Sequence, residues 1–380
     1  MPDYFPDFAC KMGECRHACC VGWPIRFSLK DYFHLTSREC SPEMRDHLDH
    51  GIQICLQPTP EEYAQFTPRL DGNCYMRLPD GRCALHAEFG EDALTDVCRL
   101  YPRGIHDHEG LEISCSNSCE AAVELMFSRD EPIRFSRQTS DIRLPPMGKR
   151  LYDFPTLGHM QEIRLALIRQ MQDRAMTLPQ RLLALKSRML RIEQALDSGD
   201  ESQLLALLAE PPEEIAPLPE AKPEDLQFGI ETAEQLLELF DEQSVSVRSY
   251  GEEALRFYGI GEGAYDNYVA ARNSFEQRFP RWEICFEHLL VNHMFFSGFP
   301  YQDRPERFNE EFTALCVVYT FLRFLSIGWI SNHTQASDFI DVYAAAFRLI
   351  DHTNFERSAI ALLRRLRLDD PARLFQWIRL

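Results

Sequence analysis

Basic residues are scarce in this chain: 40 Lys and Arg stand against 59 Asp and Glu, for a formal net charge of −19 and a pI of about 5.1. Binding to a phosphate backbone relies on neutralisation by Lys and Arg, so nucleic acid is not an expected partner. The same acidity attracts cations, such as a lysine-bearing protein surface or a sulfonium cofactor, and it also serves solubility. The opening Met1-Pro2-Asp3-Tyr4-Phe5-Pro6 lacks the basic start and apolar run of a secretory leader. A reducing, cytoplasmic compartment is therefore the expectation. Long apolar runs are also lacking, apart from the stretch Thr313 to Ile330. Arg323 lies inside that stretch, and Cys316, Tyr319 and Trp329 suit a packed interior helix, so no membrane insertion is expected. No Gly-x-Gly loop follows a strand-like run, so a cofactor loop of that type is absent; Gly259-Ile260-Gly261-Glu262-Gly263 falls between helical segments and reads as a turn.

Cysteine is abundant in one place only. Eleven of the 13 cysteines fall within the first 119 residues, four of them in the knot Cys10, Cys15, Cys19 and Cys20. Cys74, Cys83, Cys98, Cys115 and Cys119 follow. Thiols that serve as small core hydrophobes would scatter, whereas thiolates on short loops can wrap a soft ion or cluster. In a reducing compartment such a framework reads as metal binding, and an odd count leaves at least one thiol unpaired in any disulfide scheme. Cys-x2-Cys, the usual knuckle of structural zinc sites, does not occur; the knot has gaps of four, three and no residues. That spacing favours an iron–sulfur cluster, with zinc as the alternative. Nine clustered sulfurs exceed the need of one cluster, so either two sites exist or some thiols are spectators. Adjacent Cys19 and Cys20 point in different directions and are not expected to share one iron. Cys40, Cys55, Cys285 and Cys316 are isolated and read as structural. His17, His86, His106 and His108 lie near the knots and could replace a thiolate, although a loop histidine more often serves as a hydrogen-bonding group. Radical chemistry on S-adenosylmethionine calls for Cys-x3-Cys-x2-Cys. Here the third cysteine would fall at Gly22 or Ala122, which argues against that class.

The chain divides by composition. Residues 1–127 read as a loop-rich, metal-stapled domain, with turns at Asp71-Gly72-Asn73 and Asp80-Gly81-Arg82 and helix limited to pieces such as Ser28–Thr36 and Ala121–Phe127. Residues 128–209 read as a proline-bearing connector and a helical hairpin, with apolar residues three and four apart over Leu157–Arg174 and Leu178–Ser198. Residues 210–223 hold Pro211, Pro212, Pro217, Pro219 and Pro223 among acidic residues, and Glu210–Lys222 reads as an exposed linker. Residues 224–380 return to helix: Asp225–Asp241, Ala264–Arg278, Arg281–Phe296, Pro305–Ile330, Ala336–Ile350, Phe355–Leu366 and Pro371–Ile378. The fold class is mainly α: a small cysteine-stapled region followed by an all-α domain.

The N-terminal third resembles a family of zinc- or iron-chelating cysteine-cluster proteins. Five segments agree in order: the knot Cys10, Cys15, Cys19-Cys20, then Cys74-Tyr75-Met76, Gly81-Arg82-Cys83, and Cys98-Arg99-Leu100-Tyr101-Pro102. The whole chain is similar to flagellin lysine N-methylases through Tyr101-Pro102-Arg103, the segment Ser114-Cys115-Ser116-Asn117-Ser118-Cys119, and the run from Phe286 to His293 with Phe299-Pro300 behind it. Glu120 stands where that family would have a proline, which touches only the loop shape. The resemblance implies methyl transfer from S-adenosylmethionine to lysine side chains of flagellin by an enzyme with a [4Fe–4S] cluster.

Such a transfer needs a neutral amine, and neutralising a lysine of pKa about 10.4 at pH 7 costs about 4.6 kcal/mol. An apolar channel, a carboxylate or a tyrosine would lower that cost. Glu287, Asn292 and Tyr101 are the catalytic candidates, Arg103 and His288 the cofactor-binding ones, with His293 and Glu120 nearby. Cys285, His288 and Asn292 share one helix face, where polar residues are more often interior hydrogen-bonding groups. Arg103 suits a cofactor carboxylate. The metal ligands are sought among Cys10, Cys15, Cys19, Cys20, Cys74, Cys83, Cys98, Cys115 and Cys119. A cluster with three thiolates would leave one iron open to the cofactor, and four would make it structural. Two other classes stand beside the enzyme: a metal-chelating module with a helical protein-interaction domain, and a thiol redox protein, which the lack of Cys-x2-Cys disfavours.

Overall fold

The computed structural model describes residues 1–16, 18–21, 24–107, 110–137, 139, 155–240, 245–259, 261, 263–302, 308–329, 333, 335–368 and 370–380. Caps written into the sequence start the first elements. Ser28 opens α1 (Leu29–Thr36) with a capping box: its hydroxyl accepts from Asp31 N–H at 3.1 Å while Asp31 accepts from Ser28 N–H at 3.4 Å. Ser41 caps α2 (Pro42–Gly51), and Pro42 sits in the first turn, where a missing N–H is harmless. Before and after these helices, β1 (Arg26–Phe27), β2 (Ile52–Ile54) and β3 (Ala64–Phe66) form an antiparallel sheet in the order β1-β3-β2, with Phe27 opposite Ala64 and Gln53 opposite Gln65. Next come α3 (Ala84–Phe89) and α4 (Asp96–Leu100), then the antiparallel hairpin of β4 (Arg103–Asp107) and β5 (Leu111–Cys115), in which Arg103 faces Cys115, and then α5 (Glu120–Phe127).

Beyond α5, the elements among the described residues are all helices: α6 (Met160–Met171), α7 (Leu178–Ser198), α8 (Glu201–Ala209), α9 (Pro223–Leu239), α10 (Val245–Tyr258), α11 (Ala264–Arg278), α12 (Trp282–Phe296), α13 (Phe308–Trp329), α14 (Ala336–His352), α15 (Phe355–Leu366) and α16 (Pro371–Ile378). The fold is mainly α, as periodicity predicts, and α7, α11, α15 and α16 start and stop where the sequence places them. The pattern does not announce α8 and α10, nor the three short helices and two small sheets of the N-terminal region. Gly251 breaks the apolar spacing of α10 because a side chain there would collide with Leu237 of α9. Gly259, Gly261 and Gly263 all have positive φ, which makes the segment between α10 and α11 a turn; Ile260 and Glu262 lie outside the described residues.

Two hydrophobic cores result. The smaller one gathers Ile25, Phe27, Leu35, Met44, Leu48, Phe66, Met76 and Leu85 around the three-stranded sheet. The larger one takes in Tyr4, Phe5, Cys115, Val123 and Met126 and continues through the helices to Trp377 and Ile378. The cores therefore part before residue 127, since α5 packs on α12 and α14. Residues 210–222 also differ from a free linker. Prolines lack the N–H groups that would pair carbonyls of this segment in a helix, and those carbonyls find donors on α7: Arg188 donates to the carbonyls of Glu210 at 2.9 Å and Pro211 at 3.0 Å, and Gln180 to that of Ile215 at 2.7 Å. The segment is a strap, half-buried in places. Among the described residues one helix, α13, is long and apolar enough to cross a membrane, and its most apolar window is wholly buried in protein. Arg323 within it pairs with Glu276 and lies 3.9 Å over the Trp282 ring.

Candidate metal centre and adjoining cavities

Tight backbone contacts fold the separated cysteine loops onto one another. A Cβ on Gly13 would stand 2.6 Å from the Asp80 carbonyl oxygen, and one on Gly81, whose φ is +86°, 2.5 Å from that of Gly13. Only glycine fits either position, so the first knot lies directly on the Gly81-Arg82-Cys83 turn. The Cys20 carbonyl accepts from Cys74 N–H at 2.8 Å, and Arg77 and Cys83 form a further bridge. Cys83 precedes α3, Cys98 sits in α4 and Cys119 precedes α5.

Eight cysteines thereby line one cavity of about 390 Å³: Cys10, Cys15, Cys19, Cys20, Cys74, Cys83, Cys98 and Cys119. Its wall also holds Phe8, His86, Tyr101, Arg103, Glu120 and, from α14, Arg348. All thirteen cysteines are free thiols. Burial pushes Cys15 and Cys74 each up to about 12, with the Glu120 carboxylate and then the sulfurs of Cys119 and Cys10 adding at Cys15, and those of Cys20 and Cys83 at Cys74. Cys20 moves the other way, to about 7, because Cys19 donates to it. A cationic metal group would relieve the mutual opposition, and soft sulfurs on one wall are the donor set of iron–sulfur and zinc centres, so the donor chemistry fits. In this arrangement, no three His, Cys, Asp or Glu side chains among the described residues converge enough to hold a single ion.

The ninth sulfur is elsewhere. Cys115 ends β5 inside the larger core, where its carbonyl accepts from Asn292 Nδ2 at 2.7 Å and its N–H donates to the Tyr4 hydroxyl at 3.2 Å; it does not line the cavity. Cys40, Cys55, Cys285 and Cys316 do not line it either. His106 lies in β4 with its ring against Phe296, while His17 and His108 fall outside the described residues.

Of the expected catalytic and cofactor residues, the structure brings Tyr101 and Arg103 to the cavity and leaves Glu287, His288 and Asn292 away from it. The reason is burial: α12 runs through the larger core, and a polar group there must find partners inside the protein. The Glu287 carboxylate, fully buried, accepts from Arg174 at 2.8 and 2.9 Å and from Arg181 at 2.8 Å. The two ring nitrogens of His288 face the carbonyls of Met126 and Glu131, and burial holds its pKa below the ordinary value. Asn292 donates to Cys115 and Asn117 and accepts from the Tyr4 hydroxyl at 2.5 Å. His293 lies between Asp351 and Glu356; burial opposes its protonation, but hydrogen bonds to both carboxylates prevail and push it up to about 10. Glu120 straps the knot to α5, accepting from Lys11 Nζ at 2.6 Å and Arg16 N–H at 2.9 Å.

A second, polar cavity of about 700 Å³ adjoins the first. Glu91, Leu94, Arg99 and Arg103 belong to both walls, with Lys30, His34, Arg38 and Asp96 on the far side. Arg103 stands between the two, its guanidinium 5.3 Å over the Phe8 ring. Sequence reasoning does not single out the polar groups behind Tyr101: Ser116 and Ser118 from the spacer between Cys115 and Cys119, and Asp351 and His352 at the end of α14. The only sequence signals were the two serines flanking Asn117 and an Asp-His pair closing an apolar helix, both too common to be diagnostic.

No curated protein and no solved structure matches the chain. A model of the FliB lysine N-methylase C-terminal domain does, over residues 164–376. That span contains α14, the helix that delivers Arg348 to the cysteine cavity. Because the match covers more than half of the 380 residues, the chain belongs to the FliB lysine N-methylase family.

Proposed function

We propose that this protein is a cytoplasmic methyltransferase that moves methyl groups from S-adenosylmethionine to lysine side chains of flagellin, and that its cysteine cavity carries a [4Fe–4S] cluster. The observation that carries the reading is the cavity where eight thiols meet Tyr101, Arg103 and the α14 helix of the family-matched segment. Cys10, Cys15, Cys19, Cys20, Cys74, Cys83, Cys98 and Cys119 are the residues that would hold the metal group. When bound, a cluster supplies either a staple for the loops or, with one iron left open, an anchor for the amino-acid end of the cofactor.

The chain's own residues supply the rest. Arg103, shared between the two cavities, is placed to donate to a carboxylate. Ile25, Phe66, Met76 and Leu85 form an apolar wall that disfavours a charged ammonium, which lowers the cost of presenting the lysine as a neutral amine. The net charge of −19 favours approach of a lysine-bearing surface.

The test is to purify the protein anaerobically, record its visible absorbance and iron and zinc content, and incubate it with labelled S-adenosylmethionine and flagellin. Label on flagellin lysines with iron present is the expected result. Stoichiometric zinc without iron would remove the cluster, and unlabelled flagellin would remove the enzyme.

A further inference from the structure

We infer that Ser118 and His352 form a proton relay behind Tyr101, carrying the proton shed by the substrate lysine from the cavity wall to solvent. This rests on the methyl-transfer reading above. The geometry is a continuous chain. Tyr101 lines the cysteine cavity, and its hydroxyl lies 3.0 Å from Ser118 Oγ, which in turn lies 2.8 Å from His352 Nε2. The Tyr101 and His352 rings are 5.9 Å apart. His352 closes α14 and is solvent-exposed, so the chain runs from the wall to water in two hydrogen bonds.

Neighbouring groups set the direction of the chain. Ser116 Oγ lies 2.5 Å from the Asp351 carboxylate and 2.7 Å from Ser118 Oγ. A carboxylate only accepts, so it takes the single Ser116 hydrogen. Ser118 N–H donates to Ser116 Oγ at 3.0 Å and fixes the turn. Ser118 Oγ then accepts from Tyr101 and donates to His352. The Tyr101 hydroxyl carries one hydrogen and lone pairs that accept, so it takes a proton on one side as it gives one on the other. It can only pass a proton on. His352 can receive one: packing around its ring holds its pKa below the ordinary value, with Asp351 acting against that and Arg348 with it, so the imidazole is neutral near pH 7.

The transfer balances. An ammonium N–H bond of the lysine breaks and its proton joins Tyr101 Oη. The Tyr101 hydroxyl proton moves to Ser118 Oγ, and the Ser118 proton moves to His352 Nε2. The products are a neutral amine with its lone pair and an imidazolium, which returns its proton to water. Tyr101 and Ser118 end as they began. Only Tyr101 touches substrate; Ser118 and His352 act through it.

The test uses the full-length, metal-loaded protein in single-turnover methylation of flagellin with labelled S-adenosylmethionine, from pH 6 to 9.5. The wild type is expected to be nearly flat above neutrality. His352→Ala and Ser118→Ala should lose on the order of 100-fold at pH 7, with KM and melting temperature close to wild type, and should regain rate roughly tenfold per pH unit as the lysine deprotonates unaided. Imidazole in the buffer should rescue His352→Ala. An active wild type whose profile is shared by both variants overturns the relay alone. A wild type that transfers no label overturns the methyl-transfer reading and the relay with it.

Discussion

At Glu287, a wholly buried carboxylate on α12 meets two guanidinium groups, Arg181 at 2 % side-chain exposure and Arg174 at 30 %. In the sequence Glu287 is a catalytic candidate on a helix whose polar residues are more often interior hydrogen-bonding groups. Here it is paired. Removing one partner of a buried pair leaves a charge without compensation, so Glu287→Ala should destabilise the protein by about 3 kcal/mol in denaturant unfolding. Label transfer by the fraction that remains folded should be preserved. A stable variant that cannot methylate would return Glu287 to the reaction. Tyr101 and Arg103 were legible for a different reason: they follow Cys98 within one short helix and its exit, so chain connectivity alone keeps them near the sulfurs.

At the scale of elements, helices with strong caps and clean spacing were readable to the residue, as with α7, where Thr177 and Gln180 form a capping box and Gly199 ends the helix at φ 68°. Where packing overrides pattern, as at Gly251 in α10, they were not. The strap shows another limit. Its prolines correctly forbid a helix, but its attachment depends on Arg188, a buried side chain on α7 that donates to the carbonyls of Leu207, Glu210 and Pro211. Arg188→Ala should release the strap and speed cleavage within residues 210–222 by a glutamate-specific protease, roughly tenfold or more in limited proteolysis, leaving the far-ultraviolet spectrum near wild type. An unchanged cleavage rate would mean that the strap is held by other contacts.

At the scale of the whole molecule, the two cores differ in what they can sustain. The larger one runs through the twelve helices α5–α16 and needs no staple. The smaller one closes around a sheet of two- and three-residue strands, too little apolar area to hold its loops alone. If the proposed metal group staples these loops, treatment with a chelator under reducing conditions should raise amide hydrogen exchange across β1–β3 and α1–α3 while α13 keeps its protection. Equal loosening of both cores, or of neither, would argue against a metal staple.

The sequence by itself determined the helical class, the limits of α7, α11, α15 and α16 and the identity of the sulfur-bearing segments, because caps, prolines, periodicity and short-range spacing act within a few residues. Only the tertiary structure decided which of those sulfurs share a cavity, that Cys115 and the polar face of α12 stay outside it, and that Ser118 and His352 stand behind Tyr101. Those facts depend on contacts across as many as 288 positions. Such contacts are set by backbone approach at Gly13 and Gly81 and by burial in the larger core, which no local pattern encodes.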